Sequence, residues 1–422
     1  MRCENDRPSI HDSQQLNVHY GWRIAAAAAG ISFLHAALLL HAFGAYVAVL
    51  SAEYGWSKTA LAGGAAIQSI EGAILGPVLG WVVDRFGPRR MVQVGVVTLA
   101  AGFVCLGSIQ TLPGFYAAMV VIAIGGSLSG YFPLSVAIMH WFEKRRARAL
   151  SVMSGGMAVG GFAVPLIGVA MQAYGSRPVA YASALLILVI GWPLACMVRA
   201  NPAEMGLAPD GEPMPAPVTI GGTAVEPAPR AGLTASEALR TRAFWLLGLG
   251  HGFALLVVST VNVHAISHMK EGLGYSLAQA GFVISLMTVS QGVGVVLGGV
   301  VGDRWDKRYI AAGCMLAHMT GLLMLTYAVD LLMLIVFAVS HGVAWGLRGP
   351  LMQAIRADYF GLRAIGMILG LSAVIIATGQ IIGPVFAGAM ADATGSYRLG
   401  FTIIACAAAC GSLLFLLAKK PG

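Results

Sequence analysis

Residues 80–90 read GWVVDRFGPRR, and residues 299–308 read GVVGDRWDKR. Both stretches follow an apolar run, both set a glycine four residues before an Asp-Arg pair, and both end in cations. The aspartates, Asp84 and Asp303, are 219 residues apart. A second landmark repeats at almost that offset: Trp141-Phe142 with Arg145 recurs as Tyr359-Phe360 with Arg363, 218 residues on. Two unrelated landmarks sharing one offset indicate a parallel duplication, so the chain is read as two similar halves.

The segments between these landmarks are too apolar for a soluble protein. Of 422 residues, 58% are hydrophobic and 10% charged, against roughly 45–50% and about 25% in an ordinary soluble domain. The 55 glycines follow no Gly-X-Y period, which excludes a collagen-like chain, and the apolar content excludes a disordered one. A bilayer core about 30 Å thick needs roughly 20 mainly apolar residues per helix, because lipid offers no partner to unpaired backbone groups. Twelve such runs are present, near residues 21–49, 59–83, 90–110, 113–139, 149–172, 178–198, 243–268, 276–302, 309–328, 330–355, 364–390 and 396–418. Barrel strands would read as alternating segments of about ten residues, a pattern not found. The expected fold is an all-α membrane protein with twelve transmembrane helices in two six-helix bundles.

Charge placement sets the orientation. With the N-terminus in the cytoplasm, 21 of the 26 Lys and Arg fall on the cytoplasmic side, four on the other, and Arg348 inside a span. This is the positive-inside bias, and it makes the net charge of +8 a topology signal. No basic stretch is interleaved with aromatics as a nucleic-acid surface would require. Residues 1–20 are polar and lack the apolar core of a secretory signal, so they read as a cytoplasmic tail. Residues 200–242 include APDGEPMPAPVTIGGTAVEPAPR, a flexible cytoplasmic linker by its Pro, Gly and small residues. The expected divisions are a bundle over 21–199, the linker, a bundle over 243–418 and a tail over 419–422. None of the six cysteines forms a CxxC pair, so neither a disulfide framework nor a zinc site is expected.

The loop GWVVDRFGPRR matches the GxxxDRxGxRR signature of the major facilitator superfamily, and the chain resembles that family over essentially its whole length. The resemblance implies two bundles that rock about a central site, exposing it to one side at a time. It assigns a conformational loop to Gly80, Asp84, Arg85, Gly87, Arg89 and Arg90, with Asp303 and Arg304 as a weaker copy in which Asp306 replaces the glycine. An aspartate at such a helix end, near arginines and a facing helix N-terminus, can latch one of two conformations; a charged turn that only enforces topology is the plainer reading. The segments HYGWRIAAAA, AEYGWSKTALAGG, WFEKRRARALSVMSGG and GLRGPLMQAIRADYFGLRAIGMILG resemble bacterial monocarboxylate porters and oxalate–formate antiporters. That group carries substrate-binding cations on spans one, eight or eleven, whereas here spans eight and eleven have none in their interior and span one only Arg23 at its start.

Two charges fall deep in the predicted spans: Glu71 in the second and Arg348 in the tenth. An intramembrane charge normally faces a cavity or a partner. Spans one, four, seven and ten line the path in the family architecture, so Arg348 is expected to bind an anionic group of the substrate through its planar fork. His341 and Trp345 share roughly its face at helical spacing. Alternatively Arg348 pairs with a helix end or with Glu71 to hold the bundle together. Glu71 is read as a proton-coupling carboxylate, as a partner of Arg348 in the empty carrier, or as a hydrogen-bonded packing group. Tyr131 and Asn262 on spans four and seven, and His35 and His264, are candidate cavity-lining groups, although a lone membrane histidine is often a helix contact. His264 and His268, four residues apart, lack the further ligands a metal requires.

No catalytic constellation and no cofactor motif is present: GVGVVLGG at 292–299 lies in an apolar span with no P-loop Lys-Ser/Thr after it, which argues against nucleotide hydrolysis. The expected function is secondary transport of a small organic anion by proton coupling or exchange, by a monomer in the inner membrane with both termini cytoplasmic. Export of amphipathic drugs is the alternative, and a transport-dead receptor a remote one.

Overall fold

The computed structural model describes residues 10–40, 42–212, 219–220, 223–224 and 232–421; the N-terminal part of the expected tail, residues 1–9, lies outside them. Twelve long helices follow one another: α1 (Tyr20–Tyr54), α2 (Lys58–Phe86), α3 (Pro88–Gly107), α4 (Leu112–Trp141), α5 (146–174), α6 (Ser176–Met197), α7 (Arg242–Gly272), α8 (Leu277–Val301), α9 (Lys307–Thr326), α10 (Leu331–Phe360), α11 (Ile365–Thr394) and α12 (Arg398–Leu417). Ten are long and apolar enough to cross a membrane, and α5, bent by 42°, makes eleven. The remaining helix, α2, is 29 residues long with Glu71 at its middle. Among the described residues the only strands are the two-residue pair Thr219–Ile220 and Thr223–Ala224 within the linker.

Local chemistry fixes the helix ends. Ser57, Thr111, Thr241 and Asp330 accept from backbone N–H groups of their own first turns, which supplies partners for otherwise orphaned donors. The α2–α3 turn passes through Gly87 at φ 81° and restarts at Pro88. The α8–α9 turn solves the same problem differently. Asp306 stays at φ −61° and caps α9 with its own carboxylate, accepting from Arg308 N at 2.9 Å. Loss of the glycine in the second copy is therefore matched by a side-chain cap.

The duplication is visible in the packing. Helix α1 lies on α5, α3 on α4 and α6, and α2 on α4; helix α7 lies on α11, α9 on α10 and α12, and α8 on α10. Each half has its own apolar core, and the halves meet through α2 against α11 and α8 against α5. At the first crossing a Cβ on Gly80 would lie 2.5 Å from the carbonyl oxygen of Gly366, and at the second a Cβ on Gly299 would lie 3.0 Å from Ser151 Cβ. The first glycine of each repeated motif thus sits where two helices of different halves approach closely.

Both ends of the linker are pinned to one face. The Asp210 carboxylate accepts from Glu143 N at 3.0 Å and Lys144 N at 2.7 Å, in the α4–α5 loop. Leu233 N donates to Phe360 O at 2.8 Å, beside the α10–α11 loop. Tyr20, through its bond to Met197 O, and Ala418, whose carbonyl accepts from Tyr359, lie at this linker face too.

Candidate functional site

At the linker face each half grips a helix of the other. The Asp84 carboxylate accepts from Gly366 N at 2.9 Å and Met367 N at 2.8 Å, the first turn of α11. The Asp303 carboxylate accepts from Ala147 N at 2.7 Å and Arg148 N at 3.1 Å, the first turn of α5. A carboxylate facing a helix N-terminus meets unpaired N–H groups and the positive end of the helix dipole. Burial pushes the Asp303 carboxyl above its usual value, and the two N–H donors, Lys307 and Arg148 only partly offset this. A further clasp joins Arg146 of α5, and Lys307 of α9 at 2.8 Å, to Asp358 of α10. Arg85, Arg90 and Arg304 are exposed, while Arg89 is half-buried.

A second polar centre lies inside the N-terminal half, where three helices break. A π-helical turn spans Ala36–Leu40 in α1, Gly130 is extended between the two segments of α4, and Gly161–Ala163 forms a 3-10 turn in α5. The breaks adjoin: a Cβ on Gly160 would meet Ala36 Cβ at 2.6 Å, and one on Gly130 would lie 3.3 Å from His35 Nδ1. The Ser129 hydroxyl donates to Gly125 O at 2.7 Å and also meets His35 Nε2 at 3.2 Å. Its one proton is committed, so His35 donates from Nε2 and presents Nδ1 as a lone pair. The segment Tyr131–Trp141 starts at Gly130 with no side-chain cap, which leaves a positive helix end beside that imidazole. Tyr131 lies beside Ser154 of α5. Glu71 accepts from Ser127 Oγ at 2.6 Å through Oε2, while its Oε1 is buried without a partner.

The remaining sequence candidates are dispersed. Arg348 is 1% exposed, inside the C-terminal half, and no ion pair joins it to Glu71. His341 is fully buried, its Nδ1 3.1 Å from His318 Nδ1 of α9, and it lies within electrostatic reach of Arg348; Trp345 is half-buried and packs against the apolar core of this half. His264 donates from Nε2 to Pro384 O at 2.9 Å, bridging α7 to α11 and not facing His268, which meets Leu325 O. Asn262 is exposed on α7. Sequence reasoning also missed Arg356, which falls just beyond the tenth predicted run, 330–355, but is 1% exposed inside α10. Its place ten residues into the long run that begins at Gly346 carried no local signal, because Asp358 and Arg363 follow it closely.

The model of the Major Facilitator Superfamily matches residues 25–264 and 247–422. The chain belongs to that superfamily. Its members are transporters, not enzymes, and carry small molecules, so this is a multi-pass membrane transporter. Among its relatives, Bos taurus monocarboxylate transporter 13 is 24% identical over 91% of this chain and 86% of its own length. Rattus norvegicus monocarboxylate transporter 4 is 25% identical over 90% and 76%. The fujikurins efflux protein of Gibberella fujikuroi is 23% identical over 72% and 61%. The solved structure of the E. coli fucose:proton symporter superposes with a TM-score of 0.70 at 13% identity, and the human organic anion transporter MFSD10 with 0.64 at 14%; each covers 97% of this chain and 100% of that one. These two likenesses show the facilitator fold.

Proposed function

We propose that this transporter moves a small, monocarboxylate-like organic anion by alternating access, coupled to protons or to exchange. The observation that carries the reading is the N-terminal centre, where an uncapped helix start lies beside Tyr131 and beside His35, whose Nδ1 meets an anion only once it takes a proton. Broken helices whose N-termini aim at an anionic group are a recurring way to hold substrate at the midplane of such carriers. The monocarboxylate transporters among the relatives support the choice of anion. Glu71, with one oxygen bonded and one free, is the group assigned to proton coupling. The halves are taken as 21–199 and 243–418, working as a monomer in the inner membrane. The bias of cations supports a cytoplasmic side for the linker face and both termini, and the latched arrangement is then the outward-facing state.

Purified protein in liposomes, offered mono- and dicarboxylates, sugars and cationic drugs at two pH values, tests this. Monocarboxylate uptake lowered about tenfold or more by His35→Ala and by Tyr131→Phe is the expected result. The fungal efflux relative favours a second reading, export of amphipathic molecules. Movement of cationic drugs alone, untouched by those substitutions, supports that reading and overturns the first.

A further inference from the structure

Two arginines are buried in the C-terminal half, and they differ in their partners. Arg356 donates to Met352 O at 2.8 Å and to His251 Nδ1 at 3.3 Å. Arg348 has Nε and Nη1 buried with no hydrogen-bond partner. The groups that feel its charge include His251, Cys314, His318, His341 and Arg356, and the side chain that acts on Arg348 in turn is Cys314. None is a carboxylate, and every acidic residue of this half lies in a loop or close to a helix end. His318 and His341 add to the surplus of donors. Their Nδ1···Nδ1 bond uses the proton of one ring and the lone pair of the other, so the accepting ring carries its proton on Nε2. Both Nε2 atoms are buried and unpartnered, which leaves one more free N–H in the cluster.

A buried charge persists only when paired and hydrogen-bonded. Water can fill hydrogen bonds but brings no compensating charge. We propose that a small monovalent anion, a halide or a free carboxylate, binds Arg348 between α7, α9 and α10 as the counter-ion that the sequence of this half does not supply. The guanidinium fork and one histidine N–H would hold it by charge-assisted bonds. The site is separate from the broken-helix centre of the other half and does not rest on the transport reading.

The test is thermal unfolding of the purified full chain in sulfate buffer, with sodium chloride, bromide or acetate titrated in at constant ionic strength. A saturable rise of roughly 2–4 °C is expected. A response to chloride and bromide identifies an inorganic counter-ion, and a response to acetate alone a carboxylate. Arg348→Met, close in volume and uncharged, is expected to unfold at a higher temperature than wild type in sulfate, because it removes an unpaired charge, and to lose the response. If that variant does not fold, Arg348→Lys, which keeps the charge and loses the fork, is expected to raise the half-saturating concentration several-fold. Absence of any saturable rise, or a rise that these Arg348 variants retain unchanged, overturns the proposal.

Discussion

Asp84 and Asp303 occupy equivalent positions in the repeat, yet their surroundings make them unequal. Asp84 is exposed and bonds two N–H groups with little loss of hydration, whereas burial offsets part of what Asp303 gains. Carboxylates at helix N-termini contribute about 0.3–2 kcal/mol, so Asp84→Asn is expected to weaken the latched state by about 1–2 kcal/mol and Asp303→Asn to change it little at neutral pH, where burial already opposes the charge. Counting the latched fraction by single-molecule fluorescence between labels on the two halves checks the order. The carboxyl of Asp303 is raised in the latched state, so its contribution is present below the ordinary carboxylate range and lost as pH rises through the raised value. Mild acidification is therefore expected to favour the latch in the Asp84→Asn background, and release on acidification would count against the assigned burial. Glu71→Gln keeps a partner for Ser127 and removes the titrating group; uptake is expected to lose its pH dependence. An unchanged pH profile in liposomes would remove Glu71 from coupling.

At the scale of helices, the α2–α11 crossing depends on the absence of side chains. Gly80 faces Gly366, and Gly76 faces Gly370, with backbone closer than a methyl group permits. Gly80→Ala is expected to separate the halves at the linker face and lengthen the distance between labels at Arg85→Cys and Arg363→Cys. The linker acts on the same elements, since Asp210 holds the loop before α5 and Leu233 the residue before the α10–α11 loop. How far all this was legible depended on the kind of signal. Helix count, duplication and the two repeated aspartates were readable because hydropathy and a repeated loop are local patterns. The broken-helix centre was not, since Ser127, Ser129 and Gly130 look like ordinary small residues until α1 and α5 break beside them. Arg348 was found, but helical spacing ranks faces of one helix and says nothing of the Cys314 and His318 that α9 brings within its reach.

For the molecule as a whole, two similar bundles are tied at one face by reciprocal aspartate-to-helix contacts, α2 to α11 and α8 to α5. Rocking the bundles must break both contacts together, along with the clasp of Arg146 and Lys307 on Asp358. Several contacts of about 1 kcal/mol each then set a population ratio of ten or more per pair, since 1.4 kcal/mol is about tenfold. The most direct test is a distance distribution between spin labels at Arg85→Cys and Arg363→Cys, exposed residues in the α2–α3 and α10–α11 loops of the two halves, in a background otherwise free of cysteine. One short distance is expected in the parent protein, and a second, longer population when Asp84→Asn and Asp303→Asn are combined. A single short distance that the double substitution leaves unchanged would contradict it.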